Sequence, residues 1–452
     1  MNGPAPARLA AFRALVRLHG GDARLDDSRA SLPELDGLDD RDRRLATELI
    51  TGTVKRRLSL DAVLASASSA PAARMPAEVR EALRLGAFQL LFLDRVPAHA
   101  AVDDAVALVA SHGRRTRGFV NAVLRAVARD GRGHLEQSGA GDDLRSRAVR
   151  WSCPEWIVAL LSADLGGEAA DALLAAANDA PERCLRLNPL RADAASIQDA
   201  LAAAGISGEA VTGLPDALVY EGPPLESSAP FAEGLVTPQS RGSQLAGLVA
   251  AGAAPRTLLD LCAAPGTKAS QLLAAHPAAR VVAVDVDLAR TAAMRANLER
   301  LGATAVEVVE ADAASLPAPF AEAFDAVLVD APCSGLGTLG SRPDLRWRRR
   351  EADVARLAAG QRGLLAAGGD CVRPGGLLTY AVCTVTRAET VAVVDWMLER
   401  GGWELDDLGA AFPGAQHPAN GACLLTPPPW WGSTGFFIAR LRRRAPEGRT
   451  RG

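Results

Sequence analysis

LLDLCAAPGTK, Leu258 to Lys268, is the stretch on which the reading of the whole chain turns. An apolar run ends in Asp260, a turn of small residues follows, and a lysine opens a helical stretch from Ala269 to His276. This is the strand–turn–helix of a nucleotide-binding α/β unit. Small residues let the backbone approach a ligand closely, and the helix N-terminus offers free N–H groups. Glycine at such a turn also serves packing alone, so the turn gains weight from two later segments. LVDAPCSG (Leu328 to Gly335) and LLTYAVC (Leu377 to Cys383) both read as strands leading to a cysteine, in a chain with only seven.

Outward from this turn the pattern alternates. VVAVDVD (Val281 to Asp287) is an apolar strand ending in Asp285, whose carboxylate can accept both hydroxyl protons of a ribose; the competing reading is a strand-end aspartate capping the next helix. A helix from Leu288 to Leu301 and an extended stretch from Ala305 to Val309 come next. Ala326 to Val329 is continuous and apolar, as buried parallel strands are, and runs into Asp330-Ala331-Pro332-Cys333. Leu377 to Val382 leads to Cys383, a helix covers Ala392 to Leu398, and GFFIARL (Gly435 to Leu441) reads as a final edge strand. The alternation predicts a Rossmann-like, doubly wound, mostly parallel sheet, whose ligands bind at the carboxyl ends of the strands. Asp260, Asp285, Asp330, Cys333 and Cys383 all fall at such ends.

Composition sets bounds. The 452 residues carry a net charge of −3, so any nucleic-acid contact must come from local patches. Cysteines without a C-x-x-C pair point to free thiols in a reducing compartment, with no zinc site, no other metal and no disulfide framework. No stretch is long and apolar enough to span a membrane, and MNGPAPARLAAFRALVRL at the start is amphipathic rather than a signal-peptide core. A cytoplasmic protein is expected. Arginine supplies nearly all the positive charge, Lys55 and Lys268 being the only lysines.

The first segment, residues 1–133, reads as all helix: Leu9, Phe12 and Val16, then Val102, Val106 and Val109, then Phe119, Val123 and Val127 repeat at helical spacing. A stabilising bundle and an RNA-contacting domain are equally compatible with it. Gly131 to Asp143 is polar and glycine-rich and reads as a linker, within a 134–179 region of linker and helices. Residues 180–236 mix strands and helices as a small α+β subdomain, 237–445 form the α/β core, and 446–452 are a flexible tail.

Leu258–Lys268, Leu328–Gly335 and Leu377–Cys383 together resemble motifs I, IV and VI of the S-adenosylmethionine-dependent RNA (cytosine-5)-methyltransferases, in particular the bacterial branch acting on 16S rRNA. LDDRDRRLATELITGTVKRR (Leu38 to Arg57) and RGFVNAVLRAVAR (Arg117 to Arg129) resemble the NusB-like RNA-binding domain that precedes the catalytic domain there. Residues 180–236 resemble that family's RRM-like subdomain, with Arg186 and Asn188 in an R-x-N motif expected to hold RNA. The resemblance implies an rRNA methyltransferase that makes 5-methylcytosine; a monomer acting on RNA is expected. Carbon 5 of cytosine is a poor nucleophile, and thiolate addition at carbon 6 activates it.

Site roles follow from the resemblance. Cys383 would be the nucleophile and Cys333 the thiol that helps release the product. Asp330 would contact the cytosine ring edge, and Lys268 would supply positive charge. Cys262, Ala263, Ala264, Pro265, Gly266, Thr267 and Lys268 would cradle the cofactor, with Asp285 at its ribose, Asp312 beside the adenine and Asp330 also lining the pocket. GSRPDLRWRRR (Gly340 to Arg350) resembles a basic family stretch and is expected to meet RNA, its arginines on phosphate and Trp347 stacked on a base. Departures from the pattern are Thr267 for glycine, Val382 for threonine, Thr384 for serine, Thr390 for asparagine and Gln239-Ser240 for Gln-Asp. The rival readings are the same reaction on tRNA or another RNA, and a non-catalytic RNA-binding assembly factor.

Overall fold

A computed structural model describes residues 4–20, 32–68, 70–71, 74–252, 254–426 and 434–445. The chain divides into two units: residues 1–180 together with 339–349, and residues 181–338 together with 350–452.

The first unit is helical: α1 (Pro6–Gly20), α2 (Asp40–Lys55), α3 (Arg57–Ala67), α4 (Ala77–Phe92), α5 (Ala98–Leu108), α6 (Gly113–Gly139), α7 (Leu144–Trp151), α8 (Glu155–Leu165) and α9 (Gly167–Ala176). The apolar stripes of α1 to α6 converge on one core that includes Leu49, Leu60, Leu83, Leu85 and Leu124. Asp39 and Asp143 cap α2 and α7 by accepting otherwise unpaired N–H groups. One expectation is corrected here. The stretch read as a linker from Gly131 is helical as far as Gly139, because Gly131 is the close-packing point of α6, where a Cβ would meet Leu91 at 3.1 Å.

The second unit begins with a four-stranded antiparallel sheet, order β2-β3-β1-β4, formed by β1 (Cys184–Leu187), β2 (Ser207–Ala210), β3 (Ala217–Glu221) and β4 (Val236–Pro238). Helices α10 (Ala194–Ala203) and α11 (Ala229–Ala232) belong to it. After α12 (Arg241–Ala251) the main sheet is laid down by β5 (Thr257–Leu261), β6 (Arg280–Asp285), β7 (Glu307–Glu310), β8 (Phe324–Asp330) and β9 (Val372–Val382), joined by parallel pairings in the order β9-β8-β5-β6-β7. Between them run α13 (Thr267–Ala275), α14 (Leu288–Arg300) and α16 (Glu351–Cys371), while α15 (Leu345–Arg348) folds with the first unit. After α17 (Val391–Glu399) come β10 (Trp403–Leu405), β11 (Gln416–His417), β12 (Asn420–Leu425) and β13 (Phe437–Arg443), which extend the sheet antiparallel beyond β9.

The doubly wound, mostly parallel core is therefore present, with one correction: β13 is not an edge strand. It lies between β9 and β12, and Phe437, Ile438 and Ala439 are fully buried. Both faces of the strand are covered, as its unbroken apolar run FFIA suits. The expected tail, 446–452, lies outside the described residues. Among the described residues no helix is long and apolar enough to cross a membrane.

Candidate active site

The site is built where β5, β6, β8 and β9 end. After Leu261 the chain turns through Cys262, at φ +62°, and Gly266, at φ +86°, before α13 starts at Thr267. A side chain at Gly266 is excluded by contact as well as by backbone, since a Cβ would meet Met294 at 2.9 Å. The turn is tied to β6: the Asp285 carboxylate accepts from the Ala264 N–H (3.1 Å) and the Asp287 N–H (3.3 Å), and pairs with Arg290 at 3.3 Å. Asp287, rather than Asp285, caps α14. Beyond Asp285, Val286 and Leu288 are 64% and 69% exposed, an apolar surface of the kind a purine ring covers. Asp312 is exposed near the end of β7; it accepts from the Ala314 N–H, one residue beyond an Ala311 to Asp285 backbone bond.

Beneath the turn, Asp260 is buried, with the Ala269 N–H of α13 beside its carboxylate. Burial pushes its carboxyl up to about 8, opposed by Lys268 and reinforced by Asp330 and Asp285. The Lys268 Nζ donates to Asp330 Oδ2 at 2.6 Å and lies 5.5 Å from the Phe436 ring centroid. Burial alone would lower its pKa. Asp330, Asp260 and Cys383 outweigh that and hold the ammonium above its ordinary range.

The two cysteines that the sequence singles out meet here. Cys333 follows β8 and Cys383 follows β9, neighbouring parallel strands with Asp330 opposite Ala381. Their sulfurs are 3.2 Å apart. Cys333 is buried and Cys383 partly exposed. The hydrogen bond to Cys383, burial, and the charges of Cys383 and Glu389 all hold the Cys333 thiol well above its usual range. The Cys262 thiol is likewise pushed up to about 12, mainly by burial, as are Cys153, Cys184 and Cys423, while Cys371 rises to about 11. Gly337 completes the wall by donating its N–H to Cys383 O (3.2 Å) and accepting from Gly435 N–H (2.7 Å). A Cβ there would meet Gly435 O at 2.1 Å.

Two expectations about RNA contacts are overturned. Arg346 is fully buried: its guanidinium donates to the carbonyls of Lys55, Trp151, Ser152 and Ala177 and to the Asn178 side chain, all at 2.8–3.3 Å. Trp347 packs on the helical core and donates from Nε1 to Val54 O, so it is not a free stacking platform. Arg186 is equally buried, bonded to Gln239, Ser270 and the Thr267 carbonyl. Asn188 donates to the carbonyls of Gly234 and Leu301. Both brace the small sheet against α13 and the end of α14. An unsatisfied backbone carbonyl is costly to bury, and a guanidinium with five donors answers several at once. Sequence reasoning also missed Glu389, Gln361 and Ser334, which surround the cysteine loops, because none of them lies in an apolar pattern.

The residues present fit an adenosyl cofactor: a small-residue turn at a helix N-terminus, strand-end carboxylates, and an exposed apolar shelf beside Asp285. Residues 251–442 match the family described as 16S rRNA methyltransferase RsmB/F, 5–129 match the NusB family, and 153–225 match the ferredoxin-like domain of RsmF/B-like methyltransferases. The chain is 35% identical over 451 residues to the ribosomal RNA small subunit methyltransferase B of Pseudomonas syringae pv. tomato, covering 98% of each. It is 31% identical over 447 residues to the probable enzyme of that name from Synechocystis, covering 97% of this chain and 99% of that one. The crystal structure of PH0851 has the same fold, with a TM-score of 0.81 at 24% identity over 98% of this chain and all of that one. The α/β unit is thus that of a methyltransferase. The chain belongs to the RsmB/F methyltransferase family, with a NusB-like domain ahead of the catalytic one.

Proposed function

We propose that this protein transfers a methyl group from S-adenosylmethionine to carbon 5 of a cytosine in RNA, with 16S rRNA as its substrate, through a covalent bond between Cys383 and the base. The observation that carries this is the meeting of two thiols 3.2 Å apart beside the Lys268–Asp330 pair, at the ends of adjacent strands.

The cofactor supplies an electrophilic methyl; the turn from Cys262 to Thr267, with Asp285 and Asp312, would hold it. Cys383, the more exposed thiol, adds to carbon 6 as the thiolate, and carbon 5 becomes an enamine carbon able to take the methyl. Cys333 keeps its proton, so it donates a hydrogen bond to the Cys383 sulfur and favours the thiolate there. Once Cys383 is bonded to carbon 6 its charge no longer opposes ionisation of Cys333, whose proton passes to water. The Cys333 thiolate then takes the carbon-5 proton, the 5,6 double bond re-forms, and the carbon 6–sulfur bond breaks with its electron pair returning to Cys383. Asp330 meets the ring edge, where its carboxylate can accept from the exocyclic amine. Lys268 fixes the position of that carboxylate and supplies positive charge against the negative charge that builds on addition. The base must leave its stack to reach the site. The description of the matching family supports 16S rRNA as the substrate, the relatives' names support small-subunit ribosomal RNA, and the NusB-like unit supports an RNA partner.

Labelled S-adenosylmethionine with unmodified 16S rRNA, tRNA and a control RNA tests the proposal. Label in 5-methylcytosine of 16S rRNA, lost in Cys383→Ser while cofactor binding persists, is expected. No transfer by the native chain to any RNA would leave a binding or assembly factor instead, and transfer to tRNA alone would move the substrate.

A further inference from the structure

Behind the two cysteines lies a carboxylate that the mechanism above does not use. Glu389 is fully buried and sits in a short 3-10 turn (Arg387–Glu389) six residues beyond Cys383. Its oxygens accept from the Ser334 N–H (2.7 Å), Gln361 Nε2 (3.0 Å), the Thr386 hydroxyl (2.9 Å) and the Thr384 hydroxyl (3.3 Å). Ser334 follows Cys333 and Thr384 follows Cys383; their hydroxyls also bond each other at 2.8 Å. Gln361 reaches from α16 and donates to the Pro332 carbonyl as well, so the residues on both sides of Cys333 are tied to the same carboxylate. The Tyr380 hydroxyl, three residues before Cys383, holds the Glu389 carbonyl at 2.7 Å.

We propose that Glu389 is a positioning residue, which ties the loops after β8 and β9 into one buried cluster and thereby sets the spacing of the Cys333 and Cys383 sulfurs. The role rests on the function proposed above only for its catalytic consequence. The geometry alone carries the spacing. A buried carboxylate costs several kcal/mol unless its acceptor sites are filled, and filling them with four donors from two loops and a helix is what makes those loops rigid. Its charge acts in the same direction, since it adds to the effects that keep the Cys333 thiol protonated. Thr384, a departure from the family's serine, supplies the same hydroxyl.

The test has two arms on the full chain. In the first, Glu389→Ala should lower kcat for methyl transfer about 100-fold, the cost of displacing reacting groups by about 1 Å. KM for RNA and Kd for S-adenosylmethionine should stay within about twofold, and Glu389→Gln should recover most of the rate, because the threonine hydroxyls can turn to accept from its amide. In the second, which needs no RNA and no catalysis, the azo compound diamide couples the two thiols. Two S–H bonds break, one S–S bond forms, and the two electrons and two protons reduce the azo bond to a hydrazine. The native chain should form the Cys333–Cys383 disulfide quickly, Glu389→Ala about tenfold more slowly, and Glu389→Gln near the native rate. If Glu389→Ala does not fold, Thr384→Val, which keeps the carboxylate but removes its bond to the residue after Cys383 and the Ser334–Thr384 bond between the loops, is read in both arms and should slow each severalfold. A folded Glu389→Ala (or, in its place, Thr384→Val) with native coupling, or a Glu389→Gln no better than Glu389→Ala, overturns the positioning role. A native chain that couples its thiols under this control but transfers no methyl refutes the proposed function alone.

Discussion

At the residue scale, Asp260, Asp285, Asp330 and both thiols were legible because each stands at or just beyond the end of an apolar run, where a parallel sheet puts its ligands, and Lys268 because it opens the helix after the turn. Glu389, Arg186 and Arg346 were not. A lone charge is usually solvated, and nothing in a sequence marks one buried among backbone carbonyls. Asp285 is held by the Ala264 N–H of the turn after β5 and by Asp287 and Arg290 after its own strand, so its carboxylate is fixed before any ligand arrives. Asp285→Ala should weaken S-adenosylmethionine binding by about 2 kcal/mol, roughly 30-fold, read by calorimetry. His417 gives a pH signature. Its ring packs edge-on against Phe437, its Nδ1 accepts from the Ala419 N–H, and burial lowers its pKa to about 4. The unfolded chain takes up that proton near pH ~6.5 and the folded chain does not, so the stability present above ~6.5 is lost as pH falls towards 4. His417→Gln should flatten that limb in urea unfolding followed from pH 7 to pH 4.

At the scale of elements, helices and parallel strands were read well where periodicity or apolar runs were long. Short strands were not: β2 is exposed throughout and has no apolar face to betray it. The linker reading failed at α6 because glycine in a helix looks like a break, while here Gly131 is the point of close approach to α4. The basic segment after the Cys333 turn shows the same limit in reverse. Its arginines look like a phosphate-binding run, yet Arg346 satisfies four backbone carbonyls and an asparagine inside the helical unit. Arg346→Ala should destabilise that unit by about 3 to 5 kcal/mol, as orphaned buried acceptors do. Arg346→Lys, with three donors and no fork, should recover only part of the loss. Hydrogen exchange of α3 and α9 amides would read both. Gly337→Ala should disturb the Cys383 loop, because its Cβ has no room beside Gly435. Transfer activity should fall in that variant while the unfolding of the helical unit stays unchanged.

At the scale of the whole molecule, the order of parts was legible from composition and motif: a helical unit, a small mixed sheet, then the doubly wound core. The assignment of residues 339–349 to the helical unit was not legible, since chain order hides a segment that folds with a distant part of the sequence. The net charge of −3 leaves RNA attraction to local groups. The buried state of Arg186 and Arg346 removes two of the expected contributors. Methyl transfer should therefore depend on arginines outside these buried clusters, such as exposed Arg114, Arg125 and Arg129 on α6. Replacing these three with glutamine should raise KM for RNA and lower its salt dependence, with kcat little changed.

The central claim is that Cys383 attacks the base and Cys333 frees it. Its most direct test is to incubate Cys333→Ser with S-adenosylmethionine and 16S rRNA, digest the product, and locate the nucleotide-bearing peptide by mass spectrometry. A methylated cytidine attached to Cys383 is the predicted result. A cross-link on any other residue, or RNA released methylated and free at the native rate, would contradict it.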